Sequence, residues 1–154
     1  MNCIVTGGAG FIGSNLSLTL EKLGYKVIVI DNFLKGNKKN LEGFKGIIIR
    51  GDESKLLDIK KKIDIIFHLA AITDTTITNK KEMYRNNVDG FNKVLDFSEK
   101  NNCKVIYASS ASIYGDCDSP MKEDQEKNPL NIYAKSKLET EKIAKKRFKK
   151  NTLV

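Results

Sequence analysis

Two hydrophobic rhythms alternate along this chain. Short apolar runs at 3–5, 26–30, 46–50, 64–68 and 104–109 read as strands. The fourth, Asp64-Ile65-Ile66-Phe67-His68, is apolar enough for burial on both faces. Between them, apolar positions recur at helical spacing: Phe11, Ile12, Leu16, Leu20 and Leu23 after the first run, then Leu56, Leu57 and Ile59 within 53–62. The spacing predicts a long helix over 80–101, with Met83, Asn87, Phe91, Val94, Leu95 and Ser98 on one side. A last helix is predicted over 131–149, behind Pro129, and polar stretches at 32–39, 73–79 and 116–128 read as loops. Strand and helix in alternation predict an α/β domain built on a parallel sheet.

The first strand-to-helix junction is Thr6-Gly7-Gly8-Ala9-Gly10-Phe11-Ile12-Gly13. A strand, a tight glycine turn and a helix in that order cradle the phosphates of a dinucleotide. Gly7 suits the turn, Gly10 lets a pyrophosphate approach the backbone, and Gly13 lets the helix pack on the strand. The free amides of the helix N-terminus then meet the phosphates. The second strand ends in Asp31-Asn32, and Asp31 lies roughly 20 residues past the glycines, where a ribose-binding carboxylate is expected. Lysines of the following loop, Lys38 among them, can meet a 2′-phosphate, whereas Asp31 would repel one. The expected cofactor is therefore NAD, with NADP left open.

Further along, Asp52 just past the third strand can reach an adenine or simply cap the next turn, as can Ser54. Leu69, Ala70 and Ala71 leave room for a ligand over the end of the fourth strand. His68, the one histidine, reads as a packed strand-end residue, with no second ligand nearby for a metal. Asn87 lies on an otherwise apolar face and needs a partner, either backbone near the site or a neighbouring loop. The last helix opens Tyr133-Ala134-Lys135-Ser136-Lys137, which places Tyr133 and Lys137 on one face about a turn apart. An ammonium beside a phenol favours the phenolate, the form in which tyrosine serves as a base.

Composition narrows the function classes. The chain of 154 residues, 40% hydrophobic and 30% charged, suits a single globular domain. Its net charge of +8 comes mostly from lysines scattered through helices, without interleaved aromatics, so a nucleic-acid partner is not expected. The excess can help attract an anionic cofactor and substrate. No apolar run reaches the roughly 18 residues of a membrane span. The first residues lead directly into a strand without a secretory signal pattern. Cys3, Cys103 and Cys117 are odd in number and far apart, which fits neither a disulfide framework nor a zinc site and points to a reducing cytoplasm.

Taken together, the motifs resemble the extended short-chain dehydrogenases/reductases, the NAD-dependent nucleotide-sugar epimerases and dehydratases. The resemblance rests on the glycine run, Asp31-Asn32, Gly51-Asp52, Phe67-His68-Leu69-Ala70-Ala71, Asn87-Val88-Asp89-Gly90, Ser109-Ser110 with Tyr114-Gly115, and Tyr133-x-x-x-Lys137. It implies a Rossmann-like doubly wound parallel sheet of order 3-2-1-4-5, with the start of a sixth strand. It also implies roles: Tyr133 as catalytic acid/base, Lys137 holding the nicotinamide ribose and tuning Tyr133, Ser110 bonding the reacting sugar oxygen, and Asn87 behind them. Gly7, Gly10, Phe11, Ile12, Gly13, Asp31, Asn32, Lys38, Asp52, Leu69, Ala70, Ala71 and Asn87 are the expected cofactor contacts, together with Tyr133 and Lys137.

Within that family, Ser110-Ala111-Ser112 lacks the carboxylates that the sugar dehydratases use for water elimination. Thr75-Thr76, Asn86-Asn87 and 129–133 look most like ADP-glycero-manno-heptose 6-epimerases. UDP-hexose 4-epimerases share much of the pattern, and a cofactor-binding module without turnover is the other alternative. The expected substrate is a nucleotide sugar. The family is about twice this length, so residues 1–154 are expected to be the dinucleotide-binding domain alone, without the substrate lobe and with the fifth strand left as an exposed edge. A homodimer through the helices at 80–101 and 131–149 is what the resemblance implies for partners.

Overall fold

The computed structural model describes residues 1–118, 120–147 and 152–153. Its sheet has six parallel strands: β1 (Asn2–Thr6), β2 (Lys26–Asp31), β3 (Ile47–Arg50), β4 (Ile65–His68), β5 (Lys104–Tyr107) and β6 (Thr152–Leu153). Their order is β3-β2-β1-β4-β5-β6, the doubly wound arrangement in which the chain reverses direction at β1. Successive strand residues face opposite sides. Ile4, Ile28, Ile30, Ile66 and Val105 therefore meet Phe91, Val94 and Leu95 on one face of the sheet. Cys3, Val5, Val27, Val29 and Ile65 meet Leu20 and Leu16 on the other. Both faces being covered explains why the strands are apolar runs rather than alternations.

Helix α1 (Phe11–Lys22) follows β1, and α4 (Ile132–Arg147) precedes β6. The long predicted helix is α2 (Lys80–Tyr84), a π-helical stretch (Arg85–Asp89) and α3 (Gly90–Asn101) in direct succession. It ends where Asn102 turns left-handed at a φ of 50° and its N–H returns to the Ser98 carbonyl. The π stretch departs from a single regular helix and contains Asn87, whose amide bonds Ile72 and Ser136 outside the helix as well as Met83 within it. The segment at 53–62 forms only a 3₁₀ turn (Glu53–Asp58). Leu56 is buried there, Leu57 is exposed, and the three lysines that follow supply no apolar face to extend it.

The expected start of a sixth strand is present and covers part of the β5 edge. Val105 and Ile106 pair with Thr152 and Leu153 of β6, because main-chain groups left open at a sheet edge readily take up a parallel segment. The last residues predicted for α4, at 148–149, and positions 151 and 154 of the sixth strand lie outside the described residues.

Parallel strands end on the same side of a sheet. The register sets Thr6 beside Ile30 and His68, Asp31 beside Arg50, and His68 beside Tyr107. The loops leaving these residues form one rim, and α4, returning antiparallel to the strands, begins at that same rim.

Candidate functional site

The glycine turn is built by close approach. Gly7 leaves β1 at a φ of 67°, and its N–H donates to the Ile30 carbonyl at 2.8 Å. A Cβ at Gly7 would stand 2.7 Å from the Ala70 nitrogen, so the turn lies directly against the end of β4. A Cβ at Gly13 would fall 2.7 Å from Gly8 Cα and closer still to the Gly7 carbonyl oxygen. Gly8, which sequence reasoning passed over, is equally tight: a Cβ there would lie 2.7 Å from the Val29 side chain. Gly10 differs. Its φ is −73°, and a Cβ would meet only the Gly7 carbonyl oxygen, at 3.2 Å.

No side chain caps α1. The N–H of Gly10 returns to Gly7 and that of Ser14 to Gly10, which leaves the amides of Phe11, Ile12 and Gly13 without a partner among the described residues. Phe11 and Ile12 are 84% and 65% exposed around those amides.

Asp31 ends β2 buried beneath this turn. Its Oδ2 accepts the Ala9 N–H and its Oδ1 the Phe33 N–H, both at 2.8 Å. Each oxygen retains a lone pair for a further donor. The following loop folds back on the same spot, with the Asn37 N–H and Asn40 Nδ2 donating to the Ala9 carbonyl at 3.0 and 2.9 Å. These asparagines were not singled out from the sequence; their only signal was their place just after an acidic strand end. Asn32 is occupied in accepting the Leu34 N–H at 3.0 Å, and Lys38 lies on an exposed 3₁₀ turn (Lys38–Leu41).

Asp52 takes the capping role among its two readings. Its Oδ1 accepts the Ser54 N–H at 2.8 Å, and hydrogen bonding to Ser54 holds its carboxyl below the ordinary range.

At the centre of the rim, His68 Nδ1 and Thr6 Oγ1 share a hydrogen bond of 2.7 Å, and the ring stacks on Phe91 at 5.6 Å. Burial, assisted by the charge of Lys137, drives His68 down to about 3, so it is neutral and packed, as the sequence suggested. The Thr6 hydroxyl also accepts the Ala70 N–H at 3.3 Å. Leu69, Ala70 and Ala71 thus leave β4 in contact with the glycine turn.

Asn87 is 2% exposed. It accepts the Ile72 N–H at 2.8 Å and donates to the Ile72 carbonyl at 3.0 Å, Ser136 Oγ at 3.0 Å and Met83 Sδ at 3.1 Å. Its amide thus joins the loop after β4 to helix α4, the backbone partnership that its place on an apolar face called for.

After β5 the chain reaches Ser109 and Ser110. Ser110 Oγ accepts the Ser112 N–H at 3.2 Å and shares a 2.8 Å hydrogen bond with Ser112 Oγ, capping a 3₁₀ turn (Ala111–Tyr114). Helix α4 packs against that turn. Tyr133 lies in its first turn, half-buried, and no hydrogen bond among the described residues engages its hydroxyl.

Lys137 is buried one turn further on, and desolvation lowers it from 10.5 to about 8, opposed by the nearby Glu141 carboxylate. Since Lys137 acts on His68, and His68 bonds Thr6, the Tyr-Lys helix and the glycine turn share one rim. Glu141 escaped the sequence reading; its spacing of four from Lys137 was the available signal. A cavity of about 310 Å³ between Tyr25, Lys26, Lys45 and Lys61 lies at the opposite end of the strands, away from these groups.

Residues 3–153 match the family described as the NAD dependent epimerase/dehydratase family. The chain is 38% identical to the ADP-L-glycero-D-manno-heptose-6-epimerase of Brachyspira hyodysenteriae, over 96% of this chain and 49% of that protein. It is also 38% identical to the UDP-N-acetyl-alpha-D-glucosaminuronate decarboxylase of Bacillus cytotoxicus, over 81% and 41%. Among solved structures, the UDP-glucose 4-epimerase from Brucella ovis in complex with NAD superposes with a TM-score of 0.86 at 31% identity, over 94% of this chain and 47% of that one. The chain spans about half the length of the proteins it matches.

Proposed function

The chain belongs to the NAD dependent epimerase/dehydratase family, and from that premise we propose that residues 1–154 are a dinucleotide-binding domain serving the epimerisation of a nucleotide sugar. One observation carries the reading: the glycine turn, Asp31, the Ala70-Ala71 strand end, Ser110 and the Tyr133–Lys137 turn all stand on one rim of the sheet.

The residues fit NAD. Three unpartnered amides at the start of α1 match a pyrophosphate. Gly10 offers an open approach that a Cβ would occupy. Asp31 retains acceptor capacity for ribose hydroxyls while its charge, next to the buried Glu53 carboxyl, disfavours a 2′-phosphate. NAD when bound supplies a hydride acceptor that can return the hydride.

The chain's own groups would do the rest. Tyr133, its oxygen uncommitted among the described residues, would as the phenolate take the proton of a sugar hydroxyl and, as the phenol, give it back. Lys137 supplies a positive charge that favours the phenolate. Ser110 donates to the same sugar oxygen as charge develops on it. Epimerisation would then require this site to let the flattened carbon present its other face to the bound cofactor. The absence of carboxylates in Ser110-Ala111-Ser112 favours epimerisation over elimination.

The substrate to test first is ADP-glycero-manno-heptose, on the strength of the Brachyspira relative, followed by UDP-hexoses on the strength of the Brucella neighbour. Calorimetric titration with NAD and NADH, then epimerisation followed by NMR, separates the readings. The expected result is NAD binding with turnover that Tyr133→Phe abolishes while binding persists. NAD binding with no turnover of either sugar class, unaltered by Tyr133→Phe, would make the chain a cofactor-binding module. Absence of NAD binding would refute the proposal.

A further inference from the structure

Glu141 stands on α4 one turn past Lys137 and two past Tyr133, and no role assigned so far uses it. Its Oε1 accepts the Ser109 hydroxyl at 2.6 Å, and its Oε2 accepts Lys127 Nζ at 2.8 Å. The Lys127 and Glu141 side chains are only 18% and 13% exposed, so this pair is enclosed rather than a solvated surface bridge. The three partners come from separate parts of the chain: the end of β5, the irregular loop before α4, and α4 itself. Ser109 adjoins Ser110, and Glu141 lies at the helical spacing that brings it beside Lys137.

We propose that Glu141 is a positioning residue: it fastens the Ser109–Ser110 strand end and the Lys127 loop to the helix bearing Tyr133 and Lys137, and its negative charge retains the Lys137 ammonium. The inference rests on the reading of Ser110, Tyr133 and Lys137 given above.

The charges around this group act in defined directions. Lys127 and Lys145 favour the Glu141 carboxylate and hold it below the ordinary range, against the cost of burial. His68 faces Lys137 and is neutral. Tyr107, buried without a hydrogen-bond partner, stays un-ionised beside Glu141. Burial disfavours the Lys137 charge, and among these groups Glu141 is the one that supports it. Its single negative charge is thus divided between Lys127, which it contacts, and Lys137 one turn away. Neutralising Glu141 leaves Lys137 opposed by burial alone. Removing the Lys127 ammonium does the reverse, leaving the carboxylate to Lys137. A purely architectural brace would not give opposite signs.

The experiment follows Lys137 directly, by mass spectrometry of its peptide after brief labelling of the whole chain with an amine acylating reagent across pH. Glu141→Gln is nearly isosteric and keeps an acceptor for Ser109. Its Lys137 midpoint should fall by about one unit, a roughly tenfold rise in the neutral amine at pH well below both midpoints. Lys127→Met should move the midpoint upward, and circular dichroism verifies that both variants are folded. Where Glu141→Gln fails to fold, the Lys127→Met shift decides alone. An unmoved midpoint in a folded variant, or shifts of the same sign in both, overturns the proposal. Calorimetric NAD titration of the same samples decides the cofactor reading by itself, so failure of that reading cannot be mistaken for failure of the Glu141 network.

Discussion

Alanine at Gly10 and at Gly13 should damage this protein in opposite ways. At Gly13 the added methyl would sit 2.7 Å from Gly8 Cα and inside the contact distance of the Gly7 carbonyl oxygen, all of it backbone that a rotamer change cannot relieve. Overpacking of this kind costs about 1–3 kcal/mol or more. The gain from replacing a helical glycine by alanine returns about 1 kcal/mol. A net loss of up to about 2 kcal/mol lowers Tm by up to about 8 °C for a chain of this size. At Gly10 the methyl meets only one atom, the Gly7 oxygen at 3.2 Å, and the backbone φ of −73° suits alanine. Stability should change by less than about 0.5 kcal/mol. The same methyl, however, fills open space at the start of α1, where the proposed pyrophosphate site lies. NAD affinity should fall at least about tenfold, or about 1.4 kcal/mol. Chemical denaturation followed by circular dichroism gives the first quantity and calorimetric titration the second. If Gly10→Ala binds NAD like the parent chain, the phosphate cradle has been misplaced. If Gly13→Ala is as stable as the parent, the close-approach argument is wrong.

Three further perturbations test the rim. Asn87→Leu strips partners from the Ile72 N–H and carbonyl and from Ser136, and should cost about 2–4 kcal/mol in urea unfolding; a neutral result would refute its clamping role. Lys137 falls from 10.5 in the unfolded chain to about 8 when folded, so the unfolded state binds more protons between those values and stability should rise with pH through that window. Lys137→Met should flatten that rise and be more stable at neutral pH by up to about 3 kcal/mol, measured as the difference between the two chains so that other groups cancel; a parallel pH profile would refute the burial. His68 is lowered from 6.5 to about 3, so its contribution is intact above 6.5 and is lost as pH falls toward 3; His68→Gln should reduce acid sensitivity in thermal unfolding, and an unchanged acid limb would count against a buried neutral imidazole.

Local pattern alone determined the strands, the glycine turn, the acidic end of β2 and the Tyr133–Lys137 spacing. Each of these depends on near neighbours in the chain: apolar runs demand burial on two faces, a turn out of a strand demands glycine, and a helix sets residues four apart on one face. Composition and spacing could not reveal which polar groups would find partners at long range. Asp31 was legible as an acid in the right place, yet that its two oxygens would accept the Ala9 and Phe33 amides depended on how the following loop folds back. Asn87 was legible as a polar residue on an apolar face in need of a partner, but only the fold identified Ile72 and Ser136 as those partners. The 53–62 segment misled because helical spacing is cheap to satisfy over two turns, whereas a helix persists only where an apolar face is buried, and there Leu56 is the one fully buried apolar side chain. Glu141 was legible only through its spacing of four from Lys137: its hydrogen-bond partners Ser109 and Lys127 lie 32 and 14 residues away and are brought to it by the fold.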